Sequence, residues 1–579
     1  TGENTLEIAA ADAASDDVYL GDVRLIDRPR AEVLNSARLK VLVVDGDAGQ
    51  PMPARITIID EHESLMTVGA SSGGKLAVRP GAVYTADGRA EFGLPAGTYQ
   101  IVAGRGFEYG IESREIELAE GQQQELRLAI RRETPMPGYA SCDTHVHTWT
   151  FSRHGDATLE ERMITLAGEG VELPIATDHN LQIDYEPAAR AAGLRKRFTP
   201  VVGNEVTTRV GHFNVFPLDP AAPPVAHDGR NWNEIFATMG RGQRRVVILN
   251  HPRDIHSGFR PFDPQRHVAV AGENLDGWKL EANAMELVNS GALQSDGQRL
   301  IAGWFGLLNA GFRIAPVGSS DSHDVSRSIV GQARTYVRCR DDNAGMLDAS
   351  EAVDSFLAGR VLVSFGLAAD VLVNGKYRPG DVAPLNDAQP LDITARVWGP
   401  AWSAADYVAL YINGKETRRE TVPDKLRLAP GLKYEVAWTL PHPQHDAHLA
   451  VVAFGPGIEP LYWPTQRPYQ SSSPEWRPYS LGVTGAVWID ADGTPGVTSA
   501  RQYALRLVND ADDDARQLVK LLQPYDEATA VQVAAELRAR GQLFAGSTLD
   551  ALLDSPVAAT RAGVRQYVEA WKASEAARR

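Results

Sequence analysis

Five apolar segments in the middle of this 579-residue chain each end in a histidine or an acid. They read Asp143-Thr144-His145-Val146-His147, Thr177-Asp178-His179-Asn180, Gly203-Asn204-Glu205 with His212 following, Asn250-His251-Pro252, and Ser320-Asp321-Ser322-His323. Between them lie segments of helical periodicity, TLEERMITLAGEG and SDGQRLIAGWFGLLNAG among them. The stretch therefore reads as repeated strand–helix units with parallel strands, either a barrel or an open doubly wound sheet. Parallel strands all point one way, so side chains at their C-terminal ends meet at one mouth. His145 and His147 stand two residues apart on a strand and share a face. One such histidine is more often a hydrogen-bonded structural residue. Five ends in register are a metal-binding constellation of imidazole and carboxylate donors.

Composition narrows the classes. Against 58 Lys+Arg stand 74 Asp+Glu, a formal net charge of −16, and no basic run appears. Nucleic acid is excluded as a partner, because neutralising phosphates needs clustered basic side chains. Two cysteines, Cys142 and Cys339, rule out a disulfide scaffold and a four-cysteine zinc site. No segment approaches the roughly 18–20 apolar residues of a membrane span. The chain starts Thr1-Gly2-Glu3-Asn4, and its first 17 residues are small and polar. That suits a flexible leader behind a cleavage site, so export to a periplasm or the cell exterior is expected, with deliberate trimming and a cytoplasmic location as the alternative.

The flanks have a different texture. After a leader with first strands over 1–36, residues 37–132 alternate apolar and polar at period two between turn clusters, which predicts a small antiparallel sandwich. Its Leu94-Pro95-Ala96-Gly97-Thr98-Tyr99 turn resembles that of carboxypeptidase-regulatory-like and transthyretin-like modules. Strand–helix alternation fills 139–365, a second β-sandwich is expected over 366–498, and 499–579 is helical. The acidic run Asp510–Asp514 reads as a solvated helix start, and Asp490-Ala491-Asp492-Gly493 as a β-turn rather than a calcium loop. Trp402, Trp463, Trp476 and Trp488 read as packing residues rather than sugar platforms.

His-x-His, Asp-His, Glu, His and Asp-x-His in this order resemble the polymerase-and-histidinol-phosphatase (PHP) superfamily. GEGVELPIATDHN and the later GSSDSH are most similar to its carbaryl-hydrolase-like subgroup. The resemblance covers 139–365 and implies a distorted (β/α)7 barrel with two or three divalent ions (Zn, Mn or Fe). The whole is then a multidomain α/β-plus-β chain, a PHP-type barrel flanked by two β-sandwich modules with a helical C-terminal tail. Carried over by position, His145, His147, Glu205 and Asp321 would hold a first ion. Glu205 would bridge to a second on His212 and His251. His179 and His323 would take a third, with His154 from Ser152-Arg153-His154-Gly155-Asp156 as the remaining ligand and Asp156 as the fallback. Asp178 would orient a ligand or shuttle a proton.

What the resemblance implies is a metal-dependent hydrolase, with a hydroxide shared by two ions as nucleophile. Arg253 and His256 are further candidates for the catalytic machinery, and Arg253, Asn180 and Arg327 for binding an anionic substrate. A small-molecule phosphoester is favoured, since a phosphoryl group offers three oxygens to three ions. A carbamate or carboxyl ester is the alternative. A non-catalytic glycan-binding surface protein is the reading from another class. A serine hydrolase is disfavoured, because Ser319 and Ser320 lie in Gly-Ser-Ser-Asp and not in a nucleophile elbow.

Overall fold

The computed structural model describes residues 5, 27–240, 244–254, 258–292, 297–385, 389–465 and 477–579. The expected leader over the first 17 residues falls, but for residue 5, outside the described residues, as do His256 and Trp476. The chain is mixed α/β and rich in sheet, with a helical C-terminal region. Among the described residues no helix is long and apolar enough to cross a membrane.

Between Ala37 and Ile130 a three-stranded and a five-stranded sheet enclose one apolar core that includes Leu39, Val41, Ile56, Ile58, Phe92, Ile101 and Leu128. The pairing is not wholly antiparallel. Ala37–Asp45 runs parallel to Gln123–Ile130, in register from Arg38↔Gln123 to Asp45↔Ile130. First and last strands of a module close its edge in whatever direction the chain returns, and alternation of polarity carries no sign of that direction.

In the middle region Tyr139–Val146, Leu173–Ala176 and Val201–Val202 pair in parallel. Val246–Leu249, Ala284–Asn289 and Ala315–Ser319 do the same in a second sheet. The two sheets meet where Gly203 separates Val201–Val202 from Asn204–Thr208. A Cβ at Gly203 would lie 2.8 Å from Ile175 and 3.0 Å from the Ala176 carbonyl, so the corner admits no side chain. Parallel bridges Val146↔Ser322 and His179↔Glu205 bring the ligand-bearing ends together. The expectation of uniformly parallel strands is corrected at two places: Ala333–Arg338 is antiparallel to both Tyr139–Val146 and Val361–Phe365, and a hairpin interrupts the second sheet. Gly211–Phe216 is antiparallel to both Asn204–Thr208 and Val246–Leu249. Only Arg209 and Val210 join the first pair, a hairpin length that leaves no room for a crossover helix.

The boundary expected near residue 366 is not a sheet boundary. Val361–Phe365 pairs on one side with Ala333–Arg338 and on the other with Tyr479–Thr484, so one eleven-stranded sheet runs from the middle region into the C-terminal β-module. A three-stranded sheet of Ala368–Val373, Leu391–Gly399 and Gly431–Leu440 faces it across a core built on Val371, Ile393, Val408 and Val451. The tail is five helices, of which the first three begin on side-chain caps: Ser499 with Gln502, Asp514 and Asp526. They bury Leu507, Val531 and Tyr567 against Val268 and Ala271 of the middle region. Asp492 accepts from Thr494 N at 2.8 Å, and Asp446, Asp490 and Asp492 bring carboxylate oxygens within 4.8 Å of one another.

Candidate metal centre

Glu205 sits at the centre. Its carboxylate lies 3.2 Å from His145 Nε2, 3.6 Å from His147 Nε2, 2.5 Å from His179 Nδ1, 3.1 Å from His212 Nδ1 and 3.6 Å from His251 Nε2. Asp321 Oδ1 is 3.3 Å from Nε2 of both His145 and His147. Three overlapping sets therefore have donor atoms within 4.8 Å of one another: His145, His147 and Glu205; Glu205, His212 and His251; His147, His179 and His323. His154 joins the last set, with its Nε2 2.6 Å from His179 Nε2 and its ring 4.0 Å from that of His323. The assembly grades from fully buried His145 and His147 to exposed His154 at the rim.

A second layer decides which nitrogen of each ring faces inward. Glu286 accepts from His145 Nδ1 at 2.8 Å, which places the ring proton there and leaves Nε2 with its lone pair toward Glu205 and Asp321. Ser152 gives its hydroxyl proton to Asp178 at 2.8 Å, so it accepts from His147 Nδ1 at 3.1 Å. The Asp321 carbonyl accepts from His323 Nδ1 at 2.9 Å, and Thr207 lies 2.8 Å from His179 Nδ1. Nε2 of His145 and of His147 are fully buried and make no hydrogen bond. Buried polar atoms are normally paired, so these inward-facing lone pairs fit cations.

The electrostatics divide the rings: burial opposes charge on His145, His179 and His251, but the carboxylates of Glu205, Asp321 and Glu286 prevail and raise them, whereas three other rings are lowered. Burial, and then the charges of His323 and His179, hold His147 well below the usual imidazole range. Burial and then His154 and His179 lower His323, and burial and then His179 lower His154. Neutral rings are the ligand form. Burial opposes charge on Glu205, but the surrounding imidazoles prevail and hold its carboxyl well below the usual range. Asp321 is raised by burial, with Glu205 adding to it although His145 opposes. Adjacent carboxyls pushed apart in this way are a mark of functional sites. Backbone strain collects here too, with left-handed φ at Arg153, Asn180, His251 and Asp321.

The other candidates divide. Asp178 is buried behind the cluster, accepting from Thr148, Ser152 and Tyr185, and it reaches His147 through Ser152. The Asn180 amide accepts from Thr207 N at 2.9 Å and spans the two strand ends. Arg253 is half-buried two residues past His251, and its charge adds to the burial that holds His267 at about 3. Arg327 is exposed near Asp324. Asp156, the fallback third ligand, is turned away: its carboxylate pairs with Arg79 Nε at 2.8 Å and accepts from Val325 N.

Two residues of consequence went unread in the sequence. Glu286 lies inside the apolar run AMELVN, and its carboxyl is held down to about 2 against its burial by His145. Arg162, fully buried, donates to the His147 carbonyl at 2.9 Å and the Ser322 carbonyl at 2.8 Å, tying two ligand-bearing loops together. Glu286 shows in the sequence only as a charge between apolar neighbours, and Arg162 only as the last of three charges, Glu160-Glu161-Arg162, opening a helical segment.

No protein-family model and no curated protein matches the chain. Among solved structures it is similar to the crystal structure of GBS52, the minor pilin of the Gram-positive pathogen Streptococcus agalactiae, at 15% identity and a TM-score of 0.15. That likeness covers 18% of this chain and about half (48%) of the pilin chain, and it carries no argument about fold or function.

Proposed function

We propose that this chain is a metal-dependent hydrolase of the PHP kind, acting on a small phosphoester. The observation that carries the reading is Glu205, one carboxylate within 3.6 Å of five imidazoles and common to two of three donor sets. A distorted seven-stranded barrel is part of the proposal. Supporting it, seven strand positions follow one another in chain order from Tyr139–Val146 to Ala315–Ser319, with Val201–Val202 and Asn204–Thr208 counted as one interrupted at Gly203 and the separate hairpin of His267–Val268 and Glu273–Asn274 set aside.

Divalent ions bound here would supply a low-pKa water at neutral pH and neutralise charge growing on a phosphoryl group. The chain's own residues do the holding. Glu286 keeps a proton on His145 Nδ1, and Asp178, through Ser152, keeps one on His147 Nδ1. Arg162 fixes the distance between the His147 and Ser322 loops. Arg253, two residues past His251, is the side chain proposed to meet the substrate's negative charge.

Metal analysis of the purified protein is expected to find about two to three Zn, Mn or Fe per chain, with EDTA abolishing hydrolysis of p-nitrophenyl phosphate or its bis ester. A preference for 1-naphthyl methylcarbamate over both phosphoesters would move the reading to a carbamate hydrolase. Less than one ion per chain after reconstitution, with His145→Ala indistinguishable from wild type, would sink the enzyme altogether.

A further inference from the structure

The rim of the centre is gripped by another part of the chain. Arg79 ends the Leu76–Arg79 strand of the N-terminal β-module. Its Nε donates to Asp156 Oδ2 at 2.8 Å and its Nη2 to the Asp156 carbonyl at 2.6 Å. The same guanidinium reaches Glu161 at 2.8 and 3.2 Å. Glu161 closes the capping box of Leu159–Gly168, the helix that carries Arg162. Asp156 passes the grip on: its other carboxylate oxygen accepts from Val325 N at 2.8 Å, and Asp156 N and Ala157 N both donate to the His323 carbonyl. Between His154 and Asp156, a Cβ on Gly155 would lie 2.5 Å from His323 Cβ. The loops bearing His154 and His323 are thus packed in contact and held by one fork from outside the middle region.

We propose that Arg79 is a positioning residue for a cation on His154, His179 and His323, so that the N-terminal module takes part in building the metal centre. The inference rests on the metal-centre reading and goes beyond it, since no ligand comes from that module. A planar guanidinium is suited to the task because its fixed donors hold two carboxylates and a carbonyl in one geometry.

Full-length wild type, Arg79→Ala, Arg79→Lys and Asp156→Asn would be stripped of metal and titrated with Mn(II) or Co(II). Bound ions are counted by mass spectrometry, and the Co(II) absorption bands are followed. In Arg79→Ala the first two equivalents are expected to bind as in wild type and the third roughly 10–100-fold more weakly, the usual cost of losing an outer partner. Arg79→Lys would recover part of the loss. Asp156→Asn, which keeps the Arg79–Glu161 contact, guards against a result due only to a loosened module and is expected to weaken the third equivalent as well. A third equivalent bound as tightly by the variants as by wild type overturns the inference alone, and so does equal weakening of all three. A wild type that never takes a third ion overturns it together with the trinuclear reading.

Discussion

At the scale of single residues, the centre depends on side chains that touch no ion-facing atom. Glu286 is the clearest. Glu286→Gln keeps the shape but leaves one acceptor oxygen where there were two, so the amide can accept from His145 Nδ1 on one side or from His251 N on the other and cannot serve both. Affinity for the ion nearest His145 is expected to fall about 10–100-fold with the far-ultraviolet spectrum unchanged, which calorimetric titration of the stripped protein would measure. The inward ligands were legible because a histidine or acid closing an apolar run interrupts the expected composition, and several did so in order. Glu286 and Arg162 were not, since the lone charge in AMELVN, or one of three charges in TLEERMITLAG, marks neither its direction nor its partner. The choice of His154 over Asp156 was open in the sequence; it turned on Arg79, a residue 77 positions away.

At the scale of elements, strands with clean alternation were readable, among them Ala37–Asp45, Ala54–Asp60 and Gln123–Ile130. Leu76–Arg79 and Ala82–Thr85 escaped notice because four residues are too few to show a period. The Ala447–Pro456 strand carries a testable liability. His448 is buried between that strand and the Gly297–Asn309 helix, its Nε2 2.9 Å from Asn309 Oδ1, and burial holds it at about 3. From about pH 6.5 down to about 3 the unfolded chain binds a proton there and the folded chain does not, so stability falls as pH falls. The slope from this one group reaches about 1.4 kcal/mol per pH unit. His448→Gln retains a donor toward Asn309 and is expected to flatten the acid limb of the Tm–pH profile. His267, also held at about 3, leaves a further slope in place. An unchanged limb would refute the assignment.

At the scale of the molecule, the parts are joined through buried polar contacts as well as apolar ones. Arg55 of the N-terminal module meets Glu169 of the middle region at 2.9 Å, Tyr84 donates to the same oxygen at 2.7 Å, and both charged groups are buried. Glu169→Ala strands a buried guanidinium and is expected to cost about 3–5 kcal/mol, read as a lowered midpoint in urea. A cost under about 1 kcal/mol would mean that water reaches the joint. Texture showed where strand-rich and helix-rich regions lie, but it could not show that a sheet passes from one to the next, since pairing partners far apart leave no local trace. That shared sheet sets an order of events during synthesis. The Tyr139–Val146 strand, which brings His145, is hydrogen-bonded to Ala333–Arg338. A ribosome adding about 5–20 residues per second needs roughly 10–40 s to supply that partner. Tyr407–Ile412, Lys415–Thr421, Ala447–Pro456 and Tyr479–Thr484 extend the same sheet and come later still. The N-terminal module has its last strand long before, so a nascent chain spends that interval with one finished module and an apolar strand awaiting its neighbour, the stage at which a chaperone has most to shield.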